Sequence, residues 1–503
     1  MPAIVLSTFN ARYIHTAMGL RYLHANLGAL SNDCCIREFT IQQQPTDIVE
    51  ALLALNPKII GLGTYIWNIE LTTQVAGMLK QVRPDIQLIL GGPEISFETE
   101  QQTIFRYADY VLCGAADHLF REVCEAILLE NNPPTQKIQH ALPAALDTLA
   151  LPYALYSDED IAHRIIYVEA SRGCPFKCEF CLSALDKTAK PFDLDLFLRE
   201  MEQLFERGAR HFKFVDRTFN LKIAASIRIM EFFLQRIDQG VFLHFELIPD
   251  HLPEALKEVI ARFPEGSLQF EIGIQSFDPN VQQLISRRQD NSMSMENIRW
   301  LRNHTQAHLH TDLIAGLPGE TLQSFAKSFD LLAGLNPHEI QVGILKRLRG
   351  TPLIRHTQEF ALKFNPSPPY NILATRDMNF ATMQRLNRFA RYWDMIANSG
   401  RFSCVKPIIL GDAPFERFMQ LADWLFATSE QTHKISLKRL FTLVYQGLTE
   451  SLNLSADVVL PAMLQDYANS GEKGLAPFGE SLQNNIKNKK SAGTLQRQSR
   501  HLN

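Results

Sequence analysis

Across the first ~130 residues, short aliphatic runs alternate with stretches whose apolar positions recur at helical spacing. The runs are AIVLST (3–8), IIGLGTY (59–65), IQLILGG (86–92) and DYVLCG (109–114). AMGLRYLHANLGAL, TTQVAGMLKQV and HLFREVCEAIL are the helical partners. Strands alternating with helices predict a doubly wound, Rossmann-like parallel sheet. Ligands of such sheets sit beyond the carboxyl ends of the strands, here residues 8–13, 63–68, 91–94 and 114–117. The stretch NNPPTQKIQHALPAALDTLALP (131–152) has the Pro and Ala content of a linker.

Six further runs follow: IIYVEAS (165–171), HFKFVDRTF (211–219), FLHFELI (242–248), SLQFEIGIQS (267–276), HLHTDLIAGLP (308–318) and EIQVGILK (339–346). Helical segments such as DLFLREMEQLFERG and AASIRIMEFFLQRI separate them. This alternation predicts a partial (β/α)6, TIM-like barrel, with functional residues at the strand C-terminal ends. Beyond about Asn379 the pattern is wholly helical, and the polar tail is expected to be disordered. The expected α/β organisation is a Rossmann-like domain (1–135), a linker (136–162), a barrel (163–378), an all-α region (379–478) and a tail (479–503).

Composition narrows the function classes. A net charge of −4 gives no electrostatic reason to expect nucleic acid. No apolar run approaches 18 residues, so no membrane span is expected. The N-terminus lacks the basic-then-apolar pattern of a secretory leader. A cytoplasmic location follows as an expectation, with cysteines serving metal or redox chemistry in place of disulfides.

Three of the eight cysteines, Cys174, Cys178 and Cys181, fall within SRGCPFKCEFCLSA, directly after the first barrel run. Structural zinc usually takes four protein ligands, and no second C-x2-C pair exists here. A four-iron cluster held by three thiolates leaves one iron open for another ligand. An open zinc site and incidental thiols are the competing readings.

The C-x3-C-x-aromatic-C spacing, with Phe180 as the aromatic, resembles the radical S-adenosylmethionine (SAM) superfamily over roughly residues 163–350. The resemblance implies a [4Fe-4S] cluster on the three cysteines and SAM on its open iron. It implies electron-driven cleavage of SAM to methionine and a 5′-deoxyadenosyl radical that abstracts a substrate hydrogen. By the same resemblance, Phe180 would be a SAM contact, and Asp216 in FKFVDRTFN would face the SAM amino group. Glu271, Gln275 and Ser276 in FEIGIQS would lie near its ribose and carboxylate. In DLIAGLPGET, Asp312, Gly316 and Gly319 would border its adenine. Glu246 stands in an otherwise apolar run, so it is paired or lines the site. Arg287 and Arg288 either pair with the SAM carboxylate or belong to a solvated face. No catalytic residue is assigned beyond the cluster.

A Rossmann-like sheet before such a barrel resembles the cobalamin-binding radical SAM class, and the helical C-terminus resembles one subgroup of it. The turns GTYIWN and LILGGPEISFE match that class. The cobalamin contacts this implies are Thr8, Tyr13, Tyr65, Ile66, Trp67, Gly91, Gly92, Glu94 and Gly114. Two departures stand out. GAAD (114–117) replaces the frequent G-E-G-E, and no D-x-H-x-x-G loop exists, since His15 and His118 lie in the wrong context. Trp67 is alternatively a core anchor.

The implied function is a methyltransferase acting on an unactivated carbon of a small-molecule or peptide substrate, served by a reductant such as flavodoxin or ferredoxin. Alternatives are a non-methylating radical rearrangement or oxidation, and a cobalamin- or redox-responsive binding protein. A methylthiotransferase would need a second three-cysteine set, which Cys34, Cys35, Cys113 and Cys124 do not supply. Tyr392, Trp393 and Asp394 either cover the barrel mouth or pack.

Overall fold

The computed structural model describes residues 1–478, so the tail expected to be disordered lies outside the described residues. Two compact units are present. One comprises Met1–Phe245 with Lys346–Ile354 and Asn365–Asn371; the other comprises Glu246–Leu345, Arg355–Phe364 and the chain from Ile372.

The first unit opens with six strands: β1 (Ile4–Asn10), β2 (Cys34–Thr40), β3 (Ile59–Gly63), β4 (Gln87–Gly91), β5 (Tyr110–Cys113) and β6 (Ile138–His140). They form one parallel sheet in the order β2-β1-β3-β4-β5-β6. The order reverses beside β1, which places the crevice of a doubly wound sheet at the ends of β1 and β3. β1 and β3 are buried along their whole length because helices cover both faces. Met18–Ala25 and Leu119–Leu128 cover one face through Leu20, Phe120 and Val123. Pro45–Leu53 and Ile69–Val82 cover the other through Ile48, Leu52, Val75 and Leu79.

Two strands of this sheet were not expected. β2 escapes the aliphatic-run pattern because Arg37 and Glu38 interrupt it, as an edge strand allows. β6 lies in the stretch read as a linker and pairs with β5 through Val111 and Ile138. The rest of that stretch is docked too. Helix Asp158–His163 starts with a capping box at Ser157 and Asp160. Asp160 and Glu38 are bridged twice, by Arg21 (2.8 and 2.5 Å) and by Arg164 (2.8 and 2.6 Å). All four side chains are less than 10% exposed, so losing one partner would strand a buried charge, at roughly 3–5 kcal/mol.

The same unit carries β7 (Ile166–Val168), a two-stranded ribbon of β8 (Ser171–Arg172) and β9 (Lys190–Pro191), then β10 (His211–Phe214) and the first four residues of β11 (Phe242–Leu247), whose last two belong to the second unit. β10 pairs in parallel with both β7 and β11. Phe212, Phe214 and Phe245 of these strands are fully buried, and Phe212 and Phe214 meet the ring of Phe233 from helix Ile223–Leu234.

The second unit holds the parallel strands β12 (Leu268–Gln275), β13 (His308–Ala315) and β14 (Glu339–Ile344). Helices Pro279–Leu284, Asn291–His304 and Leu322–Gly334 connect them. The expected all-α region follows as Phe380–Ile396, Lys406–Leu410, Pro414–Ser429, Leu437–Glu450 and Ala456–Asn469. Tyr392 and Trp393 are buried, with Trp393 against Phe329, Phe389 and Phe418, so this pair packs.

Candidate functional site

The cysteine loop is a closed structure. Its entry strand β8 pairs antiparallel with its exit strand β9 (Ser171 with Pro191, Arg172 with Lys190), so residues 173–189 form a loop pinched at its base. Cys174 N–H donates to the Asp186 carbonyl at 2.7 Å, and Cys181 N–H to the Cys178 carbonyl at 3.1 Å. Gly173 is required at the pinch. Its φ is +95°, and a Cβ there would lie 2.9 Å from Ala189 N and the Asp186 carboxylate. Cys174 and Cys178 are buried, while Cys181 and Phe180 are half-buried. Burial pushes the Cys174 thiol up. No disulfide joins the cysteines.

Among the described residues no group of three His, Cys, Asp or Glu side chains is disposed around a single ion. Three thiols spread along a pinched loop suit a multi-iron cluster, in which each thiolate binds its own iron.

Asp216 stands two residues beyond β10 and is buried. One carboxylate oxygen accepts from Ala170 N–H at 2.9 Å and the other from the Ser171 hydroxyl at 2.5 Å. Burial drives its pKa up to about 7 against the pull of these donors. It therefore fixes the residues that lead into the cysteines. A small cavity of about 30 Å³, room for about one water, lies beside it.

The other SAM positions lie around the second unit's strands. Glu246 and Glu271 are half-buried within β11 and β12, and Ser276 is fully buried just past β12. Gln275 has φ +68° at a register shift between β12 and β13. Arg287 donates to the Gly273 carbonyl beside it. Asp312 lies 3.3 Å from His310, which is also 3.3 Å from Glu339. Burial alone would depress His310, but the hydrogen bonds to Asp312 and Glu339 outweigh it and hold its pKa up at about 10. Gly316 N–H donates to the fully buried Glu320 (2.9 Å), whose pKa burial raises to about 8. His310 and Glu320 were not singled out in the sequence.

At the rim of the N-terminal sheet, the structure sorts the nine cobalamin candidates. An apolar cavity of about 270 Å³ lies between the sheet and helix Met18–Ala25, walled by Gly61, Gly63, Gly91, Gly92 and Gly114. Of the nine, Tyr65, Gly91, Gly92 and Gly114 line it. Thr8 is instead consumed inside the sheet, donating to the Gly63 carbonyl at 2.8 Å. Tyr13 turns outward to Glu159 at 2.8 Å. Glu94 is buried against Arg349 and Tyr370, each at 2.9 Å. Ile66 is half-buried outside the cavity. Trp67 is no core anchor: it is 47% exposed and stacked on Tyr65, with ring centroids 4.4 Å apart.

Bare backbone forms much of this wall, and glycine is required where neighbours crowd it. A Cβ on Gly61 would lie 2.8 Å from Leu6 and 3.2 Å from Phe120. This glycine-walled cavity fits a largely apolar moiety. Asp117, Glu169 and Arg172 complete its lining, and sequence reasoning missed their association. Asp117 belongs to the GAAD turn that looked like a departure.

Comparison with known proteins agrees with this layout. The model of the B12 binding domain matches residues 5–124, and that of the Radical SAM superfamily matches residues 168–332. A third model, for a protein of unknown function (DUF4080), matches residues 358–503. The chain thus carries a B12-binding domain followed by a radical SAM domain, and these two domains imply a [4Fe-4S] cluster, SAM and cobalamin as cofactors.

Among curated relatives, it is 23% identical to the uncharacterized methyltransferase PH0819 of Pyrococcus horikoshii, over 57% of this chain and 67% of that one. It is 25% identical to the cobalamin-dependent radical SAM methyltransferase TokK of Streptomyces tokunonensis, over 62% of this chain but only 49% of TokK. The chain thus matches only about half the length of that relative. In fold it is similar to the radical SAM methyltransferase TsrM from Kitasatospora setae, with a TM-score of 0.56 and 16% identity over 73% of this chain and 79% of that one. It is also similar to the cobalamin-dependent SAM radical enzyme OxsB, with a TM-score of 0.61 and 13% identity over 93% and 80%.

Proposed function

We propose that this protein is a cobalamin-dependent radical SAM methyltransferase that methylates an unactivated carbon of a small-molecule or peptide substrate. One observation carries the reading: Glu169 and Arg172 line the glycine-walled cavity, and Cys174 follows Arg172 by two residues. A site for the methyl carrier and a site for the radical generator are thereby built into one compact unit. TokK and TsrM, both methyltransferases by name, support the reaction class.

In this reading Cys174, Cys178 and Cys181 hold the cluster, and Phe180 and Asp216 shape the loop around it. Glu246, Glu271, Gln275, Ser276, Asp312 and Gly316 are the candidate SAM contacts. Tyr65, Gly91, Gly92 and Gly114, joined by Gly61 and Gly63, receive part of cobalamin. The bound cofactors would supply electron transfer, radical formation and methyl carriage, while the chain binds, orients and excludes water. A one-electron reductant is required. No helix among the described residues is long and apolar enough to cross a membrane.

The test is anaerobic. Protein reconstituted with iron and sulfide is loaded with hydroxocobalamin, desalted and given SAM and dithionite. The reading expects retained cobalamin bands above a cluster shoulder, with both S-adenosylhomocysteine and 5′-deoxyadenosine as products. Deoxyadenosine without adenosylhomocysteine would replace it with a non-methylating radical reaction. Failure to retain cobalamin, or neither product, would overturn it.

A further inference from the structure

The wall of the cavity and the entry to the cysteine loop share one residue. The backbone of Arg172 belongs to β8, the ribbon strand that pinches the loop, immediately before Gly173 and Cys174. Its side chain turns the other way, into the cavity lining. Nη1 lies 3.0 Å from Asp117, while Nη2 and Nε lie 2.5 and 3.2 Å from one oxygen of Glu169. The guanidinium sits 4.8 Å from the ring centre of Tyr22, another lining residue, and 5.7 Å from that of Phe192, which follows β9.

Both carboxylates are only 7% exposed. Burial opposes the charge on Arg172, but Glu169 and Asp117 outweigh it and raise its pKa. Glu169 is fixed through its backbone, since its N–H and its carbonyl each meet the Tyr153 hydroxyl at 3.1 Å. Asp117 lies on the turn after β5, which also contributes Gly114 to the cavity.

A fork held by two buried carboxylates and two rings has little slack. Buried ion pairs tolerate the loss of a partner poorly, so a displacement of the Asp117 turn or of Tyr22 is passed to Arg172. The next element along the chain is the loop's base.

We propose that Arg172 is a positioning residue through which occupancy of the glycine-walled cavity sets the geometry of the cysteine loop. The inference rests on the reading above, that the cavity takes cobalamin and the loop takes the cluster. Coupling between two sites is reciprocal, so the cluster must change cobalamin affinity by the same factor as cobalamin changes that of the cluster.

The experiment measures hydroxocobalamin binding by anaerobic visible titration of the full chain, with and without its reconstituted cluster. The electron paramagnetic resonance spectrum of the reduced cluster is recorded with and without hydroxocobalamin. Wild type is expected to show an affinity ratio of at least ~5-fold between the two forms and a cobalamin-dependent change in the spectrum. In Asp117→Asn, which keeps the shape and removes the charge, the ratio falls toward one and the spectral change is lost. Arg172→Lys, which keeps the charge and loses the fork, behaves in the same way. Should Arg172→Lys fail to take up iron, Asp117→Asn decides alone. A wild-type ratio within ~2-fold of one, or an unchanged ratio and spectrum in Asp117→Asn, overturns the inference and leaves the proposed function standing. Failure of wild type to bind cobalamin at all overturns that reading and this one with it.

Discussion

The cavity at the rim of the N-terminal sheet and the cysteine loop are made by opposite means. The cavity is a subtraction: five glycines, Gly61 within β3 and four at the ends of β3, β4 and β5, bring bare backbone to its wall. The loop is an addition: Asp216 grips its entry, Asp186 closes over Cys174, and Arg172 braces its base between two carboxylates. A space made by omission is destroyed by adding atoms. A shape made by polar struts is altered by removing one interaction or one proton.

The largest effect should come from filling the omission. A Cβ at Gly61 already meets Leu6 at 2.8 Å, so Gly61→Leu forces the sheet and helix apart. Overpacking of this kind costs ~1–3 kcal/mol, and cobalamin retention after desalting should fall by ~10-fold or more. Thermal melting and the cobalamin-to-protein ratio check this together; retention equal to wild type would show that the cavity is not where the cofactor goes.

A smaller, pH-dependent effect is expected at a strut. The folded Asp216 carboxyl keeps its proton up to about pH 7, whereas an unfolded aspartate titrates near ~3.9. Its protonated form therefore contributes stability in full below the unfolded value, and that contribution is lost as pH rises through about 7. Asp216→Asn cannot titrate. The melting temperature of wild type should decline relative to the variant between pH 5 and pH 8, and a constant difference across that window would refute the burial of this carboxylate.

The smallest effect on stability should be at Trp67, which is 47% exposed. Trp67→Ala should cost about 1 kcal/mol, the net worth of the hydrogen bond its indole N–H donates to the Phe9 carbonyl at 3.2 Å. If its stack on Tyr65 serves the cofactor, the absorption bands of bound cobalamin should change in the same variant. Unchanged bands would assign the pair to the surface alone.

The two constructions also differ in how far they can be read in a sequence. Aliphatic runs ending in glycine announce strands and their open ends, and three cysteines in eight residues announce a loop, because both signals are local. β2 was missed because Glu38, which the fold needs as a buried hub for Arg21 and Arg164, reads in a sequence as a break in an apolar run. β6 was missed because three residues among prolines carry almost no periodicity. Asp117 read as the decay of a motif, since its partner Arg172 stands 55 residues away and nothing local pairs them. Glu94 read as a cofactor contact because the turn resembles one; only the fold brings Arg349 and Tyr370 to it.

That last pairing bears on how the chain is made. Glu94 and Glu98 of the β4 turn are satisfied by Arg347 and Arg349, and Leu353 N–H closes onto the Glu179 carbonyl at 3.0 Å. Arg347 follows Glu98 by 249 residues. At the ~5–20 residues per second of protein synthesis, the turn waits on the order of 12–50 seconds for its cations to leave the ribosome. During that interval the nascent sheet carries two carboxylates whose partners have not yet been translated. Any fragment that stops short of Lys346 would carry them permanently.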